Sequence, residues 1–230
     1  MRAFILAGGL GTRLRPRFGD LPKPLAPIGG APFLVRQLRW LAGHGIREAV
    51  VCVGHGAGQV RDALGTGAVH GVTLHYSEEP EPLGTAGALK RAQAWVDGPA
   101  LVVNGDTLPE CDPWALERDR WEHGMLGAVA LFQVEDARER GRVEVAEDGS
   151  IAAFVEKDPG FSGSAWVNGG VYAFAAALWR RLSPGPSSLE REWLPRLAAA
   201  RLLVGHRCPG QFFDIGTPEE WERAERELKP

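Results

Sequence analysis

Apolar positions in this chain fall into two alternating patterns. Short runs at residues 3–7, 49–53, 72–77 and 100–104 have the length of strands buried within a sheet. Between them, residues 33–41, 59–64 and 85–96 carry apolar side chains at helical spacing, and Gly43 and Gly45 close the first of these stretches. This alternation predicts an α/β fold, a mostly parallel sheet sandwiched by helices. The second half of the chain reads differently. Residues 113–123 predict a Trp-rich helix and 127–134 a strand, while 142–145 and 151–155 flank Glu147-Asp148-Gly149, a turn sequence that predicts a β-hairpin. A strand over 167–174 opens on Asn168-Gly169-Gly170, glycines that mark either a bulge or a close backbone approach. Helices are predicted over 175–182 and 188–199, and strands over 202–205 and 212–214. In Thr217-Pro218-Glu219-Glu220 the cap, the proline and the acids stand in the order that starts a final helix.

Composition narrows the function classes. With 230 residues, 44% hydrophobic and 24% charged, the chain can bury a sizeable core as one domain. A net charge of −3 argues against broad binding to nucleic acid or a membrane surface, so any anion site must be made by local cations. Cys52, Cys111 and Cys208 lack metal-ligand spacing, and neither a zinc site nor a disulfide framework is expected. No run approaches the roughly 18 apolar residues of a membrane span, and the first run is too short for a signal sequence, so a cytoplasmic setting is expected. There are no hexapeptide repeats, hence no β-helical acyltransferase module is expected in this stretch. Seven of the eight tryptophans sit at positions suited to packing; Trp166, two residues before Asn168, is set apart as nearer to candidate chemistry.

That chemistry begins at the first strand. Gly8, Gly9 and Gly11 end it abruptly, allow an anion to approach main-chain N–H groups, and are followed by the hydroxyl of Thr12 and the fixed charge of Arg13. The loop suits polyphosphate. It is neither a P-loop, which needs G-x-x-x-x-G-K-[ST], nor a dinucleotide fingerprint, which needs G-x-G-x-x-G. Lys23 lies between Pro22 and Pro24, which predicts extended backbone at Lys23 and a charge presented by a stiffened segment.

Leu6-Ala7-Gly8-Gly9-Leu10-Gly11-Thr12-Arg13-Leu14 with Pro22-Lys23-Pro24 resembles the sugar-1-phosphate nucleotidyltransferases, and the similarity runs over nearly the whole chain. The resemblance implies a Rossmann-like sheet with a small β-rich sugar-binding insertion, in a single domain whose residues 1–110 hold nucleotide and 111–230 sugar phosphate. It implies a nucleoside triphosphate and a sugar 1-phosphate as partners and Mg²⁺ as cofactor; it is compatible with a homo-oligomer. Leu6, Ala7, Gly8, Gly9, Gly11 and Thr12 would cradle the nucleotide, with Glu79, Gly84 and Thr85 beside the base. Arg13 would hold the leaving pyrophosphate and Lys23 the α-phosphate.

Asp106, in Asn104-Gly105-Asp106, and Asp214, in Asp214-Ile215-Gly216-Thr217-Pro218, would ligate Mg²⁺, an ion that takes hard oxygens from one or two carboxylates. Both follow strands, whose carboxyl ends face the ligand crevice of an open α/β sheet. Glu156 would bind sugar hydroxyls and Lys157 the sugar phosphate, although Asp158 intervenes before the proline that usually follows the lysine. Gly141, Asn168 and Gly169 complete the sugar side. Acidic residues before Leu83-Gly84-Thr85 favour GTP, because guanine presents N–H donors that need acceptors. Leu83 to Gly87 and Ser188-Leu189-Glu190-Arg191-Glu192 are most similar to mannose and D-glycero-D-manno-heptose 1-phosphate guanylyltransferases. The alternatives are an N-acetylmuramate 1-phosphate uridylyltransferase and, in another class, a non-catalytic nucleotide-sugar-binding regulatory subunit. Joint retention of Arg13, Lys23, Asp106, Lys157 and Asp214 favours an enzyme.

Overall fold

The computed structural model describes residues 1–138 and 140–228. Strand β1 (Arg2–Leu6) leads through a 3₁₀ turn, Thr12–Leu14, to the short helix α1 (Arg15–Phe18). A second 3₁₀ turn, Lys23–Leu25, and the two-residue strands β2 (Pro27–Ile28) and β3 (Ala31–Pro32) precede α2 (Phe33–Gly43). The first half closes with β4 (Glu48–Val53), α3 (Ala57–Leu64), β5 (Thr73–Glu78), α4 (Gly84–Arg91) and β6 (Ala100–Asn104). Then come β7 (Thr107–Pro109), α5 (Pro113–Glu122), β8 (Gly127–Val134), the hairpin β9 (Arg142–Val145) and β10 (Ile151–Val155), and the long β11 (Ala165–Phe174). Helix α6 (Ala177–Arg181), a π-helical turn Leu189–Trp193 running into α7 (Leu194–Ala199), β12 (Leu203–Arg207), β13 (Phe212–Asp214) and α8 (Pro218–Glu227) complete the chain.

Among the described residues a nine-stranded sheet runs β10-β9-β11-β6-β1-β4-β5, with β8 joined to β11 and β12 to β8. The block β6-β1-β4-β5 is parallel throughout, and β11 enters it antiparallel to β6. Because β4 and β5 lie on one side of β1 and β6 on the other, the winding reverses at β1, which opens a crevice at the carboxyl ends of these strands. Side-chain alternation divides the core accordingly. Ala3 and Ile5 pack with α2 and α3 on one face of the sheet, while Phe4 packs with α4, α6 and α7 on the other. Full burial of a side chain such as Phe4 contributes about 1.5–3 kcal/mol.

A third, smaller apolar cluster positions the site. Leu14, Ala26, Ile28 and Phe33 pack against Phe213, Ile215, Trp221 and Ala224, so the segment after the glycine loop is clamped to β13 and α8. The clamp brings the two ends of the sequence together. Thr217 caps α8 by accepting the Glu220 N–H at 3.3 Å, the arrangement its sequence predicts.

Several expectations need correction. Lys23 is not extended: it opens a 3₁₀ turn closed by Leu25 N–H to Pro22 O at 2.8 Å, and the extended residue is Pro22. Pro24 lacks an N–H, so it fits the first turn without losing a hydrogen bond. The helix over 85–96 is α-helical only to Arg91 and tightens to 3₁₀ over Ala92–Trp95. The predicted helix over 188–199 starts as a π turn. Trp121 is 74% exposed on α5 rather than packed. Trp166 lies under the Arg207 guanidinium, 5.5 Å from its ring centre, outside both cavities described below. The three cysteines are buried thiols, and Cys208 lies beside His206, whose Nδ1 is 2.7 Å from Asp119 Oδ2.

Candidate active site

At the carboxyl ends of β4, β1 and β6 the backbones touch. Gly105 N–H donates to Leu6 O at 2.9 Å and Ala7 N–H to Cys52 O at 2.8 Å. A Cβ on Gly105 would lie 2.7 Å from Leu6 O, and one on Gly8 would collide with Glu79 Oε1. Side chains at these two positions would therefore have to displace their neighbours. The resulting cavity, about 390 Å³, is lined by Leu6, Gly8, Gly9, Glu79, Gly84 and Thr85 together with Leu10, Pro82, Ala88, Asn104, Asp106 and Glu190. Ala7, Gly11 and Thr12 line neither cavity. Ala7 is buried in the core, and Gly11, at φ +59°, caps the 3₁₀ turn that carries Thr12 and Arg13.

The acidic turn has one inward carboxylate. Glu79 accepts Leu83 N–H on Oε2 at 2.9 Å, and burial pushes its pKa up, opposed by that hydrogen bond and by Arg91. Glu78 is exposed and pairs with Arg61 at 2.7 Å. The start of α4 packs backbone to backbone on the 185–188 loop: a Cβ on Gly84, at φ +67°, would lie 2.6 Å from Ser187 O. Thr85 locks this contact. Its Oγ1 donates to Glu190 Oε2 at 2.6 Å and accepts Leu189 N–H at 2.7 Å.

Asp106 and Asp214 are brought together by a small antiparallel ribbon, β7 against β13, in which Asp214 faces Thr107 and Ile215 N–H donates to Asp106 O at 3.0 Å. Gln37 braces the β6–β7 turn from beneath, donating from Nε2 to Asn104 O at 2.8 Å and also to Thr107 O. Asp106 forms an ion pair with Lys23. The Asp214 carboxyl is pushed up to about 7 by burial, then by the charges of Asp106 and Glu220, with Lys23 and Arg140 opposing. Arg13 approaches the same point, since a Cβ on Gly216 would lie 2.9 Å from Asp214 Oδ1, 3.2 Å from Glu220 Oε2 and 3.3 Å from the Arg13 guanidinium. Three carboxylates, Asp106, Asp214 and Glu220, thus meet three cations, Lys23, Arg140 and Arg13, around this point. No group of three or more His, Cys, Asp or Glu suited to a metal occurs among the described residues. An oxygen pair from Asp106 and Asp214 fits Mg²⁺, which takes its other ligands from phosphate and water.

The second cavity, about 680 Å³, is lined by charged side chains. The open end of the β9–β10 hairpin, where Arg142 pairs with Val155, supplies Gly141 and Arg142 from one strand and Glu156 and Lys157 from just beyond the other, and the same cavity is lined by Arg13, Asp214 and Glu220. Asn168 also lines it, but its amide is engaged: Nδ2 donates to Tyr172 OH at 2.9 Å and Oδ1 accepts Gly170 N–H at 3.0 Å. Gly169 lies at a bulge, where the β11–β8 register slips between Asn168 and Tyr172 and a Cβ would strike the Phe132 ring. The structure therefore brings Arg13, Gly141, Glu156, Lys157, Asn168 and Asp214 to this cavity, and Asp106 to the adjoining one. Sequence reasoning did not single out Arg140, paired with Glu220 at 2.6 Å, nor Arg142, nor Glu190, which lines both cavities. Only Glu190 carried a signal, as part of the Ser188–Glu192 stretch.

Residues 2–229 match the nucleotidyl transferase family model. The mannose-1-phosphate guanylyltransferase catalytic subunit beta of Drosophila pseudoobscura pseudoobscura is 35% identical over 224 residues, covering 96% of this chain; the chain spans only 60% of that relative. The D-glycero-alpha-D-manno-heptose 1-phosphate guanylyltransferase of Aneurinibacillus thermoaerophilus is 32% identical over 100% of this chain and 99% of its own length. The crystal structure of HddC from Yersinia pseudotuberculosis complexed with GMP-PN superposes with a TM-score of 0.87 at 28% identity, covering 99% of each chain.

Proposed function

We propose that this chain, which belongs to the nucleotidyl transferase family, is a sugar-1-phosphate guanylyltransferase that converts GTP and D-glycero-D-manno-heptose 1-phosphate into the GDP-sugar and pyrophosphate. The observation that carries the reading is the meeting of two cavities at one charged seam. One is walled by glycine backbone and ends at Asp106; the other is walled by Lys157, Glu156 and Arg13 and ends at Asp214. A triphosphate and a phosphorylated sugar placed in them would meet at their phosphates. End-to-end coverage of the heptose relative favours that sugar, and the 35% relative keeps mannose 1-phosphate as the alternative.

In this reading an oxygen of the sugar phosphate attacks the α-phosphorus in line; one P–O bond forms as the bond to the leaving pyrophosphate breaks. No proton transfer is required at the reacting centre, so the protein acts by positioning and charge stabilisation. Arg13 holds pyrophosphate through its fork of donors, and Lys157, a compact charge, follows the sugar phosphate. Lys23, paired with Asp106 before substrate arrives, turns to the α-phosphate. Asp106 and Asp214 would hold Mg²⁺, which neutralises phosphate oxygens when bound. Glu79 or the backbone beside it accepts from the guanine edge. A pyrophosphate-release screen of four nucleoside triphosphates against heptose, mannose, glucose and N-acetylmuramate 1-phosphates tests this. Release with GTP and a manno-configured sugar is expected; release with UTP alone rejects the base assignment.

A further inference from the structure

We propose that Glu190 is a specificity-determining residue that accepts a hydrogen bond from a substrate hydroxyl at the junction of the two cavities. The inference rests on the nucleotidyl-transfer reading and assigns a role to a residue which that reading does not use. Glu190 is the carboxylate shared by both cavities, and a π-helical turn, a local widening of the helix often found at functional sites, sets it there. Its Oε2 is committed to protein, accepting Thr85 Oγ1 at 2.6 Å and Ser188 Oγ at 3.3 Å. Both bonds fall on the same oxygen. They fix the carboxylate plane and leave Oε1 as the atom offered to a ligand.

The chemistry of that ligand group follows from the charge. A carboxylate repels phosphate and accepts from neutral O–H donors, so it belongs beside a hydroxyl of the ribose or of the sugar rather than beside the phosphate chain. Arg13 and Lys157 in the larger cavity serve the phosphates, while Glu79 stands at the base end of the smaller one. Through Thr85 and Leu189 N–H, the hydroxyl contact is also tied to the start of α4, so occupancy at the junction steadies the wall of the nucleotide cavity.

The test compares wild type, Glu190→Gln and Glu192→Gln with GTP, 2′-deoxy-GTP and 3′-deoxy-GTP, and with heptose and mannose 1-phosphates against their mono-deoxy analogues. Glutamine keeps an oxygen for Thr85. Glu192 shapes the same turn, accepting Ser188 N–H at 2.9 Å, but lines neither cavity. Wild type is expected to disfavour one deoxy analogue by about tenfold in kcat/KM, and Glu190→Gln to erase most of that ratio while Glu192→Gln keeps it. A loss confined to the nucleotide series assigns the ribose; one confined to the sugar series assigns the sugar. A ratio that survives in Glu190→Gln, or that is absent from wild type, overturns the proposal, and so does an equal fall for every substrate in both variants, which marks a structural role only. If wild type transfers nothing, the function reading has failed by itself; thermal shifts induced by GTP, by the sugar 1-phosphates and by the deoxy analogues of each then judge the Glu190 claim, which falls if the shifts differ in neither series or if their difference survives in Glu190→Gln.

Discussion

Around the glycine loop part of the cavity wall is glycine main chain, held close by contacts at Gly8, Gly54 and Gly105, where a single added carbon meets backbone or Glu79. Around the β9–β10 hairpin the wall is side chain: Arg13, Arg140, Arg142, Glu156 and Lys157 project from loops and strand ends into a larger space. The contrast follows from the folding of each half. Parallel strands buried on both faces crowd their ends, so the wall there combines glycine backbone with few charged side chains, Glu79, Asp106 and Glu190. Antiparallel strands with one wet face can alternate apolar and charged positions, as β9 does with Arg142, Val143, Glu144 and Val145. Recognition near the loop should therefore tolerate little change of shape, and recognition near the hairpin should be tuned one charge at a time.

The seam between the regions is where substitution should cost most. Asp106→Asn and Asp214→Asn are expected to lower the rate of pyrophosphate release on the order of 10³-fold with circular dichroism unchanged, and excess chelator to abolish turnover in wild type. Full activity in chelator would remove the metal from the site. Next in size, Arg13→Lys should lose about tenfold to a hundredfold in kcat, because an ammonium cannot reproduce the forked contact. Lys157→Arg sharpens the comparison between regions. It should raise KM for the sugar phosphate while leaving KM for GTP close to wild type, and equal changes in both constants would show that the regions are not separate.

A smaller effect is expected on the base side. GTP should exceed ITP by about tenfold in kcat/KM, since a lost hydrogen bond that strands a buried acceptor costs about 1–3 kcal/mol. Glu79→Gln should narrow that gap if the carboxylate is the acceptor, and leave it unchanged if the backbone is. Glu78→Gln should do nothing, because Glu78 turns outward to Arg61.

The smallest effect lies away from both cavities. His206 is pushed up to about 9 from an ordinary 6.5 by its hydrogen bond to Cys208, against burial, with Asp119 adding to the rise. A folded-state pKa above the unfolded one stabilises the protein fully below pH 6.5, and the gain is lost as pH rises through 9. The melting temperature of wild type relative to His206→Gln should thus be higher by about 2–4 °C near pH 6.5 and converge above pH 9. A constant difference across that range would show that His206 packs without titrating.

The first half of the fold was legible because buried parallel strands read as unbroken apolar runs, and 100–104 came out with its observed bounds. The ribbon that unites the two aspartates was only half legible. Phe212–Asp214 carries adjacent aromatics, but its partner Thr107–Pro109 is three residues long, begins with a polar residue and ends with proline. The pairing is made by the Leu14, Ile28 and Trp221 cluster, a contact between chain ends that no local pattern displays. Local rules also misplaced Lys23, where turn closure outweighed the bias imposed by the following proline. Glu190 stayed hidden for a related reason: its direction depends on a π turn, which has no hydrophobic period of its own.

Label tracing addresses the central chemistry most directly. With [α-³²P]GTP and heptose or mannose 1-phosphate, label is expected in the GDP-sugar, whereas [γ-³²P]GTP should release all its label as pyrophosphate. Transfer of the γ label to the sugar, or its release as inorganic phosphate without any GDP-sugar, would contradict nucleotidyl transfer at the seam of the two cavities.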